Sequence, residues 1–306
     1  MKKHALGHSK LQVSELALGC MSLGTEEKTA HAIIDAALEE GINYFDTADL
    51  YDFGVNEHLV GKALKPVRDQ VIIATKVGNR WQEGKEGWTW DPSKTYVKQA
   101  VKDSLKRLQL DYIDLYQLHG GTMDDPIDET IEAFEELKKE GLIRAYGLSS
   151  IRPNVIREFV KHSSIDSVMM QYSLLDRRPE EAMLPLLQAH GISVVARGPL
   201  AKGLLSIHWR EKLEKIKEQG YLDYSINELK ERLEKLEQLA TNEHSLNGLA
   251  LRYLLHDKSV ASVITGASSV KQLKENVRAV KETALSPQEY ELLQTITKES
   301  RYSQHR

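Results

Sequence analysis

The fold is indicated by two apolar runs, Tyr112-Ile113-Asp114-Leu115-Tyr116-Gln117-Leu118 and Ile143-Arg144-Ala145-Tyr146-Gly147-Leu148, and by the residues between them. Asp125 and Pro126 lie between these apolar runs as a predicted helix N-cap and first helical residue, and Gly141 is a predicted stop. Between them, one helix face is marked by Ile127, Ile131, Phe134 and Leu137. The stretch therefore predicts a strand, a helix and a second strand, which is the repeating unit of parallel sheets.

The same alternation continues in both directions along the chain. Eight apolar runs predict strands at Leu16–Cys20, Ile42–Phe45, Val71–Lys76, Tyr112–Leu118, Ile143–Leu148, Val168–Gln171, Ile192–Arg197 and Val260–Thr265. Two more helix faces are predicted by Ala30, Ile33, Ile34, Ala37 and Leu38, and by Val97, Ala100, Val101, Ser104, Leu105 and Leu108. Eight such units close a barrel, so we predict that residues 1–306 form one α/β domain, a (β/α)8 TIM barrel.

An open doubly wound sheet is the alternative fold. That fold usually carries a G-x-G-x-x-G phosphate turn after an early strand, and the spacing of Gly19 and Gly24 does not match it. The barrel remains the prediction.

Three segments are predicted to add to the plain barrel. An N-terminal hairpin is expected at Lys3–Leu6 and Leu11–Val13, where it would plug the barrel floor. A long excursion, roughly from Gly198 to Asn247, is expected over the mouth with a helix at Ile226–Leu239. A capping box at Ser286-Pro287-Gln288-Glu289 predicts an extra C-terminal helix.

Composition limits the kinds of partner. The chain is 41% hydrophobic and 28% charged with a net charge of −4, so we expect no nucleic-acid or anionic-membrane partner. Its single cysteine, Cys20, fits a reducing compartment, and no apolar run approaches the roughly 20 residues needed to span a bilayer. We expect a cytoplasmic protein. Its oligomeric state is not fixed by the sequence.

Polar residues end three consecutive predicted strands. In a parallel barrel the carboxyl ends of the strands form the mouth where active sites lie. The second, third and fourth strands bring a carboxylate, a phenol, an ammonium and an imidazole to that mouth, from Asp46, Tyr51, Lys76 and His119.

These four groups suit the reduction of a carbonyl compound. A phenol is a weak acid at neutral pH, and a neighbouring ammonium such as that of Lys76 helps it to release a proton. We expect Asp46 to pair with Lys76, and His119 to polarise and orient the substrate oxygen. The group supplies no hydride, so a cofactor has to supply it.

Each residue alone has a simpler explanation. Asp46 and Lys76 also fit a structural ion pair, His119 fits a core or turn histidine, and Tyr51 fits a ring packed at the rim. We favour catalysis because all four are predicted at neighbouring strand ends.

The segment Asp46-Thr47-Ala48-Asp49-Leu50-Tyr51 matches the D-x-A-x-x-Y motif of the aldo-keto reductase family, and Lys76 and His119 fall where that family places its other catalytic residues. The chain resembles this family over nearly its whole length, especially the bacterial reductases related to potassium-channel β subunits. The resemblance implies a (β/α)8 barrel, NADPH bound across the mouth, and hydride transfer to an aldehyde or ketone. Tyr51 would be the proton donor.

The resemblance also implies where the cofactor binds. Ser149 and Gln171 would hold the nicotinamide carboxamide, and Glu275 with Asn276 the adenine. The whole expected set is Ser149, Gln171, Arg197, Gly198, Leu200, Ala201, Lys202, Gly203, Gly266, Ser268, Gln272, Glu275 and Asn276. Cys20 and Met21 end the first predicted strand, where backbone contact with the cofactor and simple core packing are both open.

The chain departs from the family pattern in three respects. Ser150 replaces an asparagine, and Arg197 replaces the aromatic residue that stacks on the nicotinamide ring. Where basic residues usually clamp the 2′-phosphate, the chain has Gly266, Ser268 and Gln272. NADPH is therefore the expected cofactor, with a weaker preference over NADH than in relatives with a full clamp.

Substrate contacts are predicted from three tryptophans in the loop after the third strand, Trp81, Trp88 and Trp90. Their rings would form an apolar wall for a small-molecule carbonyl substrate. Packing of the loop against the barrel rim explains them equally well.

Two other functions remain open. A regulatory module that senses the cofactor would use the same four residues, since the channel β subunits share the fold. A barrel isomerase or lyase would need no redox cofactor, and the predicted carboxamide and adenine contacts argue against it.

Overall fold

The structure is a computed structural model and describes residues 1–216, 219–241 and 243–306. Its strands, in chain order, are β1 (Lys3–Ala5), β2 (Gln12–Ser14), β3 (Leu16–Gly19), β4 (Tyr44–Asp46), β5 (Ile72–Val77), β6 (Asn79–Arg80), β7 (Thr89–Trp90), β8 (Ile113–Leu118), β9 (Ile143–Ser149), β10 (Ser167–Gln171), β11 (Ser193–Arg197) and β12 (Val260–Gly266). Eight of these strands, β3, β4, β5 and β8 to β12, form a closed parallel barrel in that order. The predicted (β/α)8 barrel is confirmed.

All eight predicted barrel strands are present, with ends that shift by one or two residues. The largest shift is at β4, which begins at Tyr44 instead of Ile42. Asn43 was predicted to lie within this strand. Its side chain accepts a hydrogen bond from the Ser14 N–H at 2.7 Å and donates to the Gln12 carbonyl at 2.8 Å. Asn43 thus ties the start of the strand to the N-terminal hairpin.

Helices cover the outside of the barrel. In the described residues they are α1 (Glu27–Glu39), α2 (Val55–Leu64), α3 (Lys94–Leu108), α4 (Ile127–Glu140), α5 (Pro153–His162), α6 (Met183–Ala189), α7 (Trp209–Lys215), α8 (Ile226–Leu239), α9 (Leu246–His256), α10 (Val270–Val280) and α11 (Pro287–Ile296). The six residues predicted as one face of α3 are the buried residues of that helix. None of the described helices is long and apolar enough to cross a membrane.

The predicted start of α4 is wrong by one residue. Pro126 is the N-cap, and Asp125 does not cap the helix with its side chain. Its carboxylate instead accepts hydrogen bonds from the Thr122 N–H at 2.7 Å and from Trp90 Nε1 at 2.9 Å. The Asp125 side chain, predicted to cap the helix, therefore bonds to its own loop through Thr122 and to a distant segment through Trp90.

The N-terminal hairpin closes one end of the barrel. β1 and β2 pair antiparallel, and Leu6 and Val13 are fully buried in the same apolar cluster as Tyr44 and Leu115. This packing confirms the predicted hairpin and leaves the opposite end, where the strands terminate, as the open mouth.

The excursion after β11 contains α7 and α8. The predicted helix at Ile226–Leu239 is confirmed, and Ser225 caps it with a capping box that also involves Glu228. The predicted range 198–247 includes residues 217, 218 and 242, which lie outside the described residues. The capping box at Ser286 and Glu289 and the C-terminal helix α11 are also confirmed.

Candidate active site

Lys76 is the centre of the polar cluster at the barrel mouth. Its Nζ atom donates to Asp46 Oδ2 at 2.7 Å, to the Thr47 carbonyl oxygen at 2.8 Å and to the Tyr51 hydroxyl at 3.1 Å. Strand β5 carries Lys76 and its neighbour β4 ends at Asp46, so adjacent parallel strands bring the pair together. The structure thus brings together the acid, base and phenol that the sequence predicted.

Tyr51 lies on a short turn, Tyr51–Gly54, that follows β4. Asp52 and Phe53 adopt left-handed backbone angles with φ of 48° and 50°. Thr47, just before the turn, donates its N–H to the Ala74 carbonyl at 2.9 Å and its hydroxyl to Asn56 Oδ1 at 2.7 Å. These bonds fix the connection to β5 and to α2, and so they hold the phenol over Lys76.

Burial and charge set the ionisation of the pair. Burial alone would lower the pKa of Lys76, but the Asp46 carboxylate and the Tyr51 hydroxyl outweigh it and raise that pKa above its ordinary value. Burial raises the pKa of Asp46, while the Lys76 ammonium and the Gln117 amide counteract it. Lys76 therefore carries its positive charge at neutral pH, directly beside the Tyr51 hydroxyl.

His119 completes the cluster just after β8. Its backbone N–H donates to the Val77 carbonyl at 2.8 Å. Its ring lies edge-on to that of Tyr51, with ring centroids 6.0 Å apart. Burial, together with the positive charges of Lys76 and Arg197, lowers the pKa of His119 to about 3. His119 is therefore a neutral imidazole across the physiological pH range.

A cavity of about 1470 Å³ opens over these four side chains and extends to the start of α10. Its walls include most of the residues predicted to bind the cofactor. The predicted residues that line it are Met21, Ser149, Gln171, Arg197, Gly198, Leu200, Lys202, Gly203, Gly266, Ser268, Gln272, Glu275 and Asn276.

Three predicted site residues do not line the cavity. The side chain of Cys20 is buried in the core, and its carbonyl accepts a hydrogen bond from Asn56 Nδ2 at 2.8 Å. Ala201 is also buried. Trp81 packs edge-on against Phe53, with ring centroids 5.8 Å apart, and lies beside Arg107.

Two of the cavity's lining residues carry hydrogen-bonding groups of the kind that a carboxamide needs. Gln171 and Ser149 both line it, on neighbouring strands β10 and β9. Gln171 Nε2 donates to the fully buried Asp176 carboxylate at 2.9 Å, and Arg178 holds the same carboxylate at 2.7 Å. The amide of Gln171 is thereby fixed, and its oxygen, which has no partner among the described residues, can accept a hydrogen bond such as that of a carboxamide N–H.

The loop after β11 adopts an unusual backbone. Ala201 and Lys202 have positive φ angles of 47° and 59°. Four of its N–H groups donate to carbonyls of the same loop, those of Ala201, Gly203, Leu204 and Leu205. The side chains of Lys202 and Lys212 also line the cavity at this loop and add positive charge to its wall.

The far end of the cavity lies at the start of α10. Ser268 donates its N–H to Gln272 Oε1 at 2.9 Å and its hydroxyl to the same oxygen at 3.2 Å. Gln272 thus occupies two donors that suit a phosphate, while Lys271 also lines the cavity. A 2′-phosphate would have to displace the Gln272 side chain.

The tryptophans have different surroundings. Trp88 is half exposed and lines the cavity. Trp90 also lines it, but Nε1 of Trp90 donates to Asp125 at 2.9 Å and its ring covers Gly78, where a Cβ atom would lie 2.5 Å from the ring. Trp90 therefore packs the loop, and Trp88 is the ring free to contact a substrate.

Several lining residues escaped the sequence analysis. The cavity also includes Ser22, Asn79, Ile151, Arg152, Ser206, Lys212 and Asn247. Lys212 and Asn247 come from the excursion, and its predicted place over the mouth was the one available signal for them. Asn79 had no such signal, because it lies on a strand of two residues.

Comparison with known proteins shows the family to which the chain is similar. The model of the family described as "Aldo/keto reductase family" matches residues 15–298. An uncharacterized oxidoreductase of Bacillus subtilis, YqkF, is 58% identical over 100% of both chains. An NADH-specific methylglyoxal reductase of Escherichia coli is 32% identical, covering 92% of this chain and 94% of its own.

One solved structure has nearly the same fold as this chain. The holo form of an aldo-keto reductase from Bacillus halodurans superimposes with a TM-score of 0.94 at 60% identity, covering 100% of this chain and 99% of that one.

Proposed function

The chain belongs to the aldo/keto reductase family, and from that premise we propose that it reduces aldehydes or ketones with NADPH, using Tyr51 as the proton donor. As a member of this family it is an oxidoreductase that reduces carbonyl compounds with a nicotinamide cofactor. The observation that carries the proposal is the 3.1 Å hydrogen bond from the buried Lys76 ammonium to the Tyr51 hydroxyl.

The cofactor would lie along the cavity between Gln171 and Asn276 and would supply the hydride to the carbonyl carbon. Tyr51 then gives its proton to the carbonyl oxygen as negative charge develops there. The Lys76 ammonium stabilises the phenolate that Tyr51 becomes. His119 hydrogen-bonds the same substrate oxygen and orients it.

Asp46 has a supporting part in this mechanism. Its carboxylate holds Lys76 at 2.7 Å and accepts from Gln117 Nε2 at 3.3 Å. The first bond fixes the Lys76 ammonium, and the second fixes the Asp46 carboxylate that holds it. Proton transfer from Tyr51 therefore does not depend on a mobile lysine side chain.

NADPH is the cofactor we propose, with a modest margin over NADH. Lys271 and the N-terminal end of α10 favour a phosphate at the far wall of the cavity. The bonds from Ser268 to Gln272 oppose it, since they have to break first. A relative described as NADH-specific, at 32% identity, is consistent with a weak rather than absolute preference.

The test is Tyr51→Phe. It removes the hydroxyl and keeps the ring, so carbonyl reduction should fall about 10²–10⁴-fold while NADPH binding and fold are retained. Tyr112→Phe is the matched control, because Tyr112 precedes β8 at the opposite end of the barrel. Near-normal turnover of Tyr51→Phe with a good aldehyde would overturn the proposed mechanism.

Turnover also separates the proposal from a regulatory role. A reductase oxidises NADPH rapidly when an aldehyde is added, whereas a cofactor-sensing module binds NADPH and turns over extremely slowly. Stopped-flow measurement of NADPH oxidation with and without aldehyde distinguishes the two functions.

A further inference from the structure

Asn79 contacts the ring of His119 from outside the catalytic group of four. Nδ2 of Asn79 lies 3.1 Å from Nδ1 of His119, and Asn79 is buried. The two residues follow different strands. The backbone N–H of His119 donates to the Val77 carbonyl, and this bond keeps the two segments side by side. The small hairpin of β6 and β7 adds to this, because Asn79 pairs with Trp90.

This contact bears on which ring nitrogen of His119 carries the proton. An amide nitrogen can only donate, so Nδ1 of His119 accepts and has no hydrogen. Because burial and the charges of Lys76 and Arg197 hold the pKa of His119 far below neutral, the imidazole has a single ring proton. That proton is then on Nε2.

The other ring nitrogen is available to a ligand. Nε2 of His119 has no hydrogen-bond partner among the described residues, and His119 lines the cavity beside Tyr51. A substrate oxygen placed next to the Tyr51 hydroxyl would therefore meet an N–H donor and not a lone pair.

We propose that Asn79 is a positioning residue that fixes His119 as the Nε2–H tautomer, so that His119 donates a hydrogen bond to the substrate carbonyl oxygen. The proposal rests on the proposed function for its catalytic consequence. Without Asn79 the imidazole can place its proton on Nδ1, and Nε2 would then repel the oxygen that it should polarise.

Asn79→Asp is the informative substitution, because it keeps the size of the side chain and reverses its role. A carboxylate only accepts, so it draws the proton of His119 to Nδ1. Asn79→Ala removes the contact and leaves the tautomer unconstrained. Arg80→Gln is the control on the same short strand, since the Arg80 side chain is half exposed and pairs with Asp91 instead of His119.

The first readout is ¹⁵N NMR of the histidine side chains in resting protein, with the His119 signals assigned by comparison with His119→Asn. The unchanged protein and Arg80→Gln should show a protonated Nε2 and an unprotonated Nδ1. Asn79→Asp should show the reverse. An Nδ1–H tautomer in the unchanged protein, or no shift in Asn79→Asp, would overturn the proposal.

The second readout is the reduction rate. Loss of one donor to a developing oxyanion costs about 10²–10³-fold in kcat, so Asn79→Asp should lower kcat about 10²-fold with a smaller change in KM. A reversed tautomer with unchanged kcat would also overturn the proposal. Failure of the proposed function is seen separately, as near-normal turnover of Tyr51→Phe, and it does not affect the NMR result.

Discussion

The Nζ atom of Lys76 lies 2.7 Å from Oδ2 of Asp46, and the exposed fractions of the two side chains are only 1% and 5%. Charges so deeply buried are tolerated only as a pair, because each loses its hydration. Removal of either partner leaves the other charge uncompensated in the barrel mouth. The pair proposed for catalysis is therefore also a structural element.

Lys76→Met should for this reason lose both activity and stability. We expect the free energy of unfolding to fall by about 3–5 kcal/mol, as measured by urea unfolding, because Asp46 is left buried without its partner. Lys62→Met is the matched control, since Lys62 and its partner Glu27 are each 50% exposed. That change should cost at most about 1 kcal/mol. Equal losses in the two variants would contradict the prediction.

Trp88 and Trp90 should respond differently to substitution. Trp88→Ala should raise KM for bulky apolar aldehydes more than for small ones, with little change in melting temperature, because Trp88 lies half exposed on the cavity wall. Trp90→Phe should lower the free energy of unfolding by about 1 kcal/mol, because it removes the bond to Asp125. A Trp88→Ala variant with the same KM ratio for all aldehydes would rule out a substrate contact.

Gln272 should control the preference for NADPH. Gln272→Ala frees the N–H and hydroxyl of Ser268, so NADPH should bind about twofold to tenfold more tightly while NADH binding stays unchanged. Dissociation constants for both cofactors, measured by fluorescence titration in one buffer, give the comparison. Gln99→Ala on α3 is the control. If the unchanged protein binds NADH more tightly than NADPH, the proposed cofactor is wrong.

Asp49 should make stability fall as pH rises. It is buried, and neither carboxylate oxygen has a hydrogen-bond partner among the described residues. Burial, and then the Glu57 carboxylate, raise the pKa of Asp49 well above its ordinary value. The folded protein therefore keeps a proton that the unfolded chain releases, so the free energy of unfolding decreases from the ordinary aspartate pKa upward.

Asp49→Asn removes this dependence. Unfolding followed by urea at a series of pH values from 4 to 8 should show the variant gaining stability relative to the unchanged protein as pH rises. Asp52→Asn, at an exposed neighbouring position, should give a curve parallel to that of the unchanged protein. Parallel curves for Asp49→Asn would show that Asp49 is ionised in the folded state.

The strand and helix pattern was predictable because it is local. The six buried residues of α3 follow one helical spacing, and the barrel strands are apolar runs that need no partner to be recognised. The grouping of four polar residues was predictable for a related reason. The carboxyl ends of parallel barrel strands all lie at one mouth, so residues that follow successive strands lie close together there, as do Asp46, Tyr51, Lys76 and His119.

The hydrogen-bond partners of side chains between those elements depend on contacts that form only in the folded barrel. Asn79 lies on a strand of two residues, too short to show any periodicity, and it meets His119 through the pairing of distant segments. Asp125 fits a helix N-cap by spacing, yet Trp90 and Thr122 bind it instead. Spacing along the chain determines which face of an element is apolar, but a hydrogen bond between loops depends on distances that arise only when the barrel has closed.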